Sequence, residues 1–186
     1  MTIVFTIGHL NLSWPTFQHL LDRAEIEVVI DVRSNPISRL AHFNRTTLKE
    51  RLNAAGVGYV FAGLELGGRP RNGGVPDYEN MAASPLFAES VARVEEMAAR
   101  TRPALMCSEH EPLTCHRCLL VGRRLAERGN SLAHILRDGT IEPNEVTEER
   151  LLAFTRQTER DLRATREDRL RAAYRAQGLK ITRARR

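Results

Sequence analysis

Val28-Val29-Ile30-Asp31-Val32-Arg33 is the stretch that decides the fold. Its β-branched residues run together without polar alternation, which is the pattern of a strand buried on both faces in a parallel sheet. The acid and the guanidinium at its end then stand at the carboxyl edge, where open parallel sheets bind their ligands. Similar short runs recur at Ile3 to Ile7, Tyr59 to Phe61, Ala104 to Met106 and Leu132 to Leu136.

Segments of helical period separate these runs: Trp14, Phe17, Leu21 and Ala24; Leu48, Leu52 and Ala55; Phe87, Val91, Val94 and Ala98; Cys118, Val121 and Leu125. Ser13, Asn44, Ser84 and Thr114 stand where N-caps would, Pro85 follows as a first helical residue, and Gly56 and Gly129 end the second and fourth helices. Strand and helix alternate, so the expected class is α/β: a parallel five-stranded sheet with helices on both faces, plus a basic C-terminal helix. The α/β domain is expected over 1–147 and the basic helical extension over 148–186. In the extension Leu151, Phe154 and Leu162 supply an apolar side, and Glu159/Arg163 and Glu167/Arg171 are spaced for ion pairs.

The chain has 186 residues, 42% hydrophobic and 27% charged, an ordinary globular mix that excludes collagen-like, coiled-coil and wholly disordered classes. It has neither the apolar length of a membrane span nor a signal-peptide start, and Cys107, Cys115 and Cys118 are an odd, crowded set unsuited to a disulfide framework. A cytoplasmic protein with free thiols and no membrane partner is expected, its oligomeric state open. Eleven Arg and Lys stand against four Asp and Glu between Arg156 and Arg186, more than the whole-chain excess of +5, so the basicity belongs to the tail.

Two connections, Arg33 to Phe43 and Gly63 to Ala83, are longer than crossover units need, and long connections are often functional. The residues after the strands form one list: Gly8 and His9; Asp31 and Arg33; Glu65, Gly67, Gly68 and Arg69; Cys107 and Glu109; His134. Two histidines, three carboxylates, two arginines and a thiol exceed what a bland sheet edge offers. Arg33, Arg39 and Arg69 suit a phosphate or carboxylate. Asp31 is open to a structural role as an acceptor for neighbouring turns, and Phe43-Asn44 reads mainly as a helix start.

The sharpest local signal is Cys107-Ser108-Glu109-His110-Glu111-Pro112-Leu113-Thr114-Cys115-His116-Arg117. With Thr114 as cap, Cys115, His116 and Arg117 fall in the first turn of the fourth helix, where free N–H groups attract an anion and lower a thiol pKa. Cys115 is then a candidate nucleophile, Glu109 and His116 candidate acid–base groups, and inert packing of Cys115 the alternative. Arg117 is expected to touch the anion without being part of the core.

Cys118 followed by Arg124 has the spacing of cysteine phosphatases, but Leu119 to Arg123 reads as helix interior and not as a phosphate-cradling loop. Cys115-x2-Cys118 with Cys107 and a histidine could hold zinc, but no second Cys-x2-Cys or histidine pair completes a framework, so no metal or other cofactor is expected.

The motifs Thr6-Ile7-Gly8-His9, Asp31-Val32-Arg33 with Pro36 and Ser38-Arg39, Phe43-Asn44, Leu66-Gly67-Gly68, Tyr78-x-x-Met81, Cys107-x-Glu109-x-x-Pro112-x-x-Cys115-His116-Arg117 and His134-Ile135 occur in this order. Together they resemble the domain of unknown function 488 family, from about Thr2 to Ile135. The resemblance adds weight to the fold and implies a shared site at the strand edge; the family's name records no activity. Leu10, where the family more often has Ser, Cys118 and the basic tail depart from the pattern.

The first functional expectation is an enzyme acting on a phosphorylated nucleotide or nucleic-acid substrate. Arg33, Arg39, Arg69, Arg117, Gly67 and Gly68 would bind it, and Glu109, Cys115, His116, His9 and Asp31 would carry the chemistry. One alternative is a non-enzymatic nucleic-acid-binding module whose Arg156 to Arg186 tail supplies affinity. The other is a thiol or sulfur carrier, suggested by Cys115 and by an Asp-Val-Arg reminiscent of rhodaneses.

Overall fold

The computed structural model describes residues 3–70, 73–157 and 164–184. Its elements are β1 (Ile3–Gly8), α1 (Trp14–Arg23), β2 (Val28–Asp31), α2 (Arg45–Ala54), β3 (Gly58–Phe61), α3 (Tyr78–Ala82), α4 (Pro85–Ala98), β4 (Pro103–Cys107), α5 (Arg123–Glu127), β5 (Ser131–Ile135), β6 (Ile141–Pro143), α6 (Asn144–Phe154) and α7 (Arg166–Ala184). The strands form one sheet in the order β3-β2-β4-β1-β5-β6. The five expected strands are all present and mutually parallel.

A sixth strand corrects the five-stranded, purely parallel expectation. β6 runs antiparallel to β5, pairing Ala133 with Pro143 and Ile135 with Ile141. Three residues ending in proline carry no periodicity. The signal lay in the connecting turn, where Gly139 takes φ +86° after Asp138 and Leu136 N–H donates to Thr140 O at 2.8 Å.

The helices flank the sheet on both faces. Phe17, Leu20 and Leu21 of α1 and Leu48 and Leu52 of α2 pack against Phe5, Ile7, Val29 and Met106. On the other face Phe87, Val91 and Val94 of α4 join Leu125, Leu151, Tyr174 and Ile181 around Val4, Ile30 and Leu105. Apolar groups on both faces of β1, β2 and β4 explain why those strands read as unbroken apolar runs.

The C-terminal extension is not one helix. α6 begins at Asn144, ahead of Glu148, and stops at Phe154; Arg156 takes φ +57° before α7 starts at Arg166. α7 buries Ala173, Tyr174, Gln177, Gly178, Ile181 and Thr182, a stripe at helical spacing, and Gln177 Nε2 donates to Leu113 O at 2.6 Å. The expected Glu167 and Arg171 pair forms at 3.0 Å, whereas Leu162 and the Glu159/Arg163 pair lie outside the described residues.

Candidate functional site

At the carboxyl ends of the strands, β1 and β4 keep pairing one step beyond their ends: His9 N–H donates to Cys107 O and Leu10 N–H to Ser108 O. This brings the Glu109 backbone so close to Gly8 that an added Cβ would lie 1.8 Å from the Glu109 carbonyl oxygen. Only glycine fits there.

Asp31, Arg33 and His9 meet in one buried network. The Asp31 carboxylate accepts from Arg33 Nε at 2.8 Å, Arg33 Nη2 at 2.6 Å and the Tyr59 hydroxyl at 2.8 Å. Arg33 Nη1 donates to Phe43 O at 2.9 Å and lies 3.1 Å from His9 Nε2. A guanidinium only donates, so His9 accepts at Nε2 and donates from Nδ1 to Leu10 O. Burial, reinforced by Arg33, lowers the His9 pKa to about 4, and its ring stacks on Phe43 at 4.1 Å. Burial and the Asp31 charge raise the Tyr59 pKa. This network ties the ends of β1 and β2 to Tyr59 within β3, and its charges satisfy one another.

A crevice of about 430 Å³ opens beside it, with Ser34, Gly68, Arg69, Cys107, Glu109 and His116 in its wall. Arg69 is exposed, and its backbone N–H is fixed by Ser34 Oγ at 3.0 Å. A Cβ on Gly68 would lie 2.6 Å from His116 Cγ, and one on Gly67 would lie 2.3 Å from Gly63 O, so both glycines permit close approach. His116 Nε2 donates to Val32 O at 2.8 Å, which points Nδ1 at two sulfurs. Cys107 Sγ is 3.7 Å from it and Cys115 Sγ 3.9 Å. Burial opposes ionisation of Cys115, but its contact with Cys107 and the charge of Arg117 bring its pKa well below the usual thiol range, while the same contact raises that of Cys107.

The local backbone corrects the expected helix start. Thr114 closes a short 3-10 turn (Pro112–Thr114), Cys115 is extended, and Arg117–Gly122 is a π-helical stretch leading into α5. Arg117 is therefore not a surface residue of a first helical turn: it is 0% exposed. Its guanidinium donates to Glu109 O, to His110 O at 2.7 Å and to Thr6 Oγ1 at 3.3 Å. Arg117 positions the loop that carries Glu109. Thr6 in turn meets His134 Nδ1 at 2.8 Å, and His134 Nε2 meets Asn144 Oδ1 at 3.1 Å, so His134 lies in the interior. Burial, with the Arg117 charge, lowers its pKa to about 4.

Of the sequence candidates, the crevice gathers Arg33, Gly68, Arg69, Glu109 and His116, with Cys115 buried behind His116. His9 and Asp31 stand behind Arg33, Gly67 beneath the loop, and exposed Arg39 is not in the wall. Cys107 is the wall residue that the sequence offers only as a zinc ligand and not as a catalytic or substrate-binding candidate. Its signal was its position as the last residue of β4, eight residues before Cys115.

No curated protein and no solved structure matches the chain. A family model described as domain of unknown function DUF488 matches residues 13–123, which takes in Asp31, Arg33, the Gly67-Gly68 loop and the Cys107-to-Arg117 segment but not His9 or His134. That match spans more than half of the sequence, and the chain belongs to the DUF488 family.

Proposed function

We propose that the protein is an enzyme acting on a phosphorylated substrate, a nucleotide or a nucleic-acid end, bound in the crevice at the C-terminal edge of the sheet. One observation carries the reading: Arg69 from the β3–α3 connection, Cys107 from the end of β4, and Glu109 and His116 from the β4–α5 connection face a single cleft. Arg69 is the anion contact, because its side chain is exposed while Arg33 and Arg117 are committed to Asp31 and to backbone carbonyls. Glu109 is the acid–base group, held at the rim by the Arg117 clamp on its carbonyl. Asp31, His9 and Arg33 act as positioning residues. The test is a panel of phosphomonoesters, nucleoside triphosphates and short DNA and RNA. Turnover that falls about 100-fold or more in Glu109→Gln supports the reading, and equal turnover in the variant contradicts it.

The nucleic-acid-binding alternative rests on α7, where Arg175, Lys180 and Arg183 are exposed on the side opposite the buried stripe. Among the described residues none of α7 lines the crevice, so binding there would be a separate activity. The carrier alternative would need a thiol that reaches its donor, and Cys115 is 0% exposed.

A further inference from the structure

We infer that Cys107, Cys115 and His116 form a binding site for a thiophilic divalent cation, zinc in the first place, with its fourth coordination position open to the crevice. The inference deepens the proposed site but does not need the substrate assigned to it. The two Sγ atoms and His116 Nδ1 all lie within 4.8 Å of one another. Zinc bonded at about 2.3 Å to sulfur and about 2.0 Å to nitrogen sets tetrahedral S···N edges of about 3.5 Å. The observed separations are 3.7 and 3.9 Å.

Three features independent of that triangle suit it to a metal. The Nε2 bond to Val32 O is the outer contact that metal-bound imidazoles make, and it fixes the tautomer with Nδ1 free to ligate. Gly68, lying flush on the ring, leaves His116 no room to turn away. Each sulfur also receives a backbone amide, Cys107 from Glu109 and Cys115 from Arg117 at 3.5 Å, which stabilises thiolate ligands. A Cys2His set with one open position is the donor set of a catalytic zinc, and Cys107 and His116 both line the crevice. The sequence offers Cys107 and a histidine beside the Cys115-x2-Cys118 pair but does not show which of them converge. Cys118, the second cysteine of that pair, is buried outside the cluster, and Cys107 reaches the cluster from the end of β4.

The intact protein, stripped with a chelator, is titrated with zinc against a chromophoric competitor and separately with Co(II). The site predicts one equivalent per chain, intense visible absorption of tetrahedral cobalt and a near-ultraviolet thiolate-to-cobalt band. Cys107→Ser, Cys115→Ser and His116→Gln each weaken zinc about 100-fold or more, while Cys118→Ala leaves it unchanged. The wild-type cobalt spectrum needs no variant to fold. No stoichiometric zinc, a cobalt spectrum without a thiolate band, or a Cys107→Ser/Cys115→Ser double variant that binds as wild type overturns the site. Stoichiometric zinc without turnover of any phosphorylated compound would uphold this inference while removing the proposed function; turnover by a protein that takes up no stoichiometric zinc would do the reverse.

Discussion

His116 Nε2 and the carbonyl oxygen of Val32, 84 residues apart, are joined by a 2.8 Å hydrogen bond. That contact ties the end of β2 to the segment after β4 and determines which ring nitrogen faces the two thiols.

Gly68 seals the other side of the ring, so Gly68→Ala should displace His116. The added methyl meets His116 Cγ, Nδ1 and Cβ 2.6 to 2.9 Å away, and overpacking of this kind costs about 1–3 kcal/mol. Gly8→Ala should be worse, because the Glu109 carbonyl is backbone and has no rotamer to escape into. Gly56→Ala, with nothing within 4 Å but φ +77°, should cost only about 1 kcal/mol. Urea denaturation of the three variants checks this order; equal losses would show that the close approaches are unimportant.

Arg117→Met should destabilise by about 3 kcal/mol or more. It leaves the buried Thr6 hydroxyl and the part-buried Glu109 and His110 carbonyls without that donor, and removes the charge the three of them hold. A loss under about 0.5 kcal/mol, the usual result for a surface residue, would contradict the clamp.

Stability should fall on mild acidification. His9 and His134 each have a folded pKa of about 4 against about 6.5 unfolded. Above pH 6.5 both states are neutral and nothing is lost. Between pH 6.5 and 4 only the unfolded chain takes up these protons, so each histidine removes up to about 3 kcal/mol by pH 4. Denaturant midpoints from pH 7.5 to 4 should slope less in His134→Gln than in wild type, whatever its starting stability. Parallel slopes would show that His134 is not held neutral.

Stopping the chain after Thr155 would strip α7 from the core, and burial of Tyr174 and Ile181 alone is worth about 3–6 kcal/mol. Truncation should therefore destabilise the whole domain and is a poor probe of the tail's charge. Replacing Arg175, Lys180 and Arg183 with Gln keeps the packed stripe. If α7 binds nucleic acid, the triple variant should reduce the logarithmic salt slope for duplex DNA by about three. An unchanged slope and affinity would reduce α7 to a packed helix with a solvated face.

The sheet and its edge were legible because burial on both faces writes unbroken apolar runs and because Ser13, Pro85, Gly56 and Gly129 punctuate the helices as expected. β6 was hidden because three residues carry no period, and the break before α7 because charge spacing alone does not mark a helix end. Arg33 and Arg117 read as ligand contacts because sequence shows charge but not partners; in the fold Arg33 pairs with Asp31 and Arg117 with carbonyls. The meeting of Cys107 with Cys115 and His116 is a tertiary event, created where β4 ends beside an extended Cys115.

The most direct measurement of the central claim is a crystal of the intact protein soaked in phosphate or in a nucleoside diphosphate. The account predicts the anion in the crevice, within hydrogen-bonding reach of the Arg69 side chain and beside Glu109 and His116, and its loss in Arg69→Ala crystals grown the same way. A crevice that stays empty while the ligand settles on α7 would contradict it.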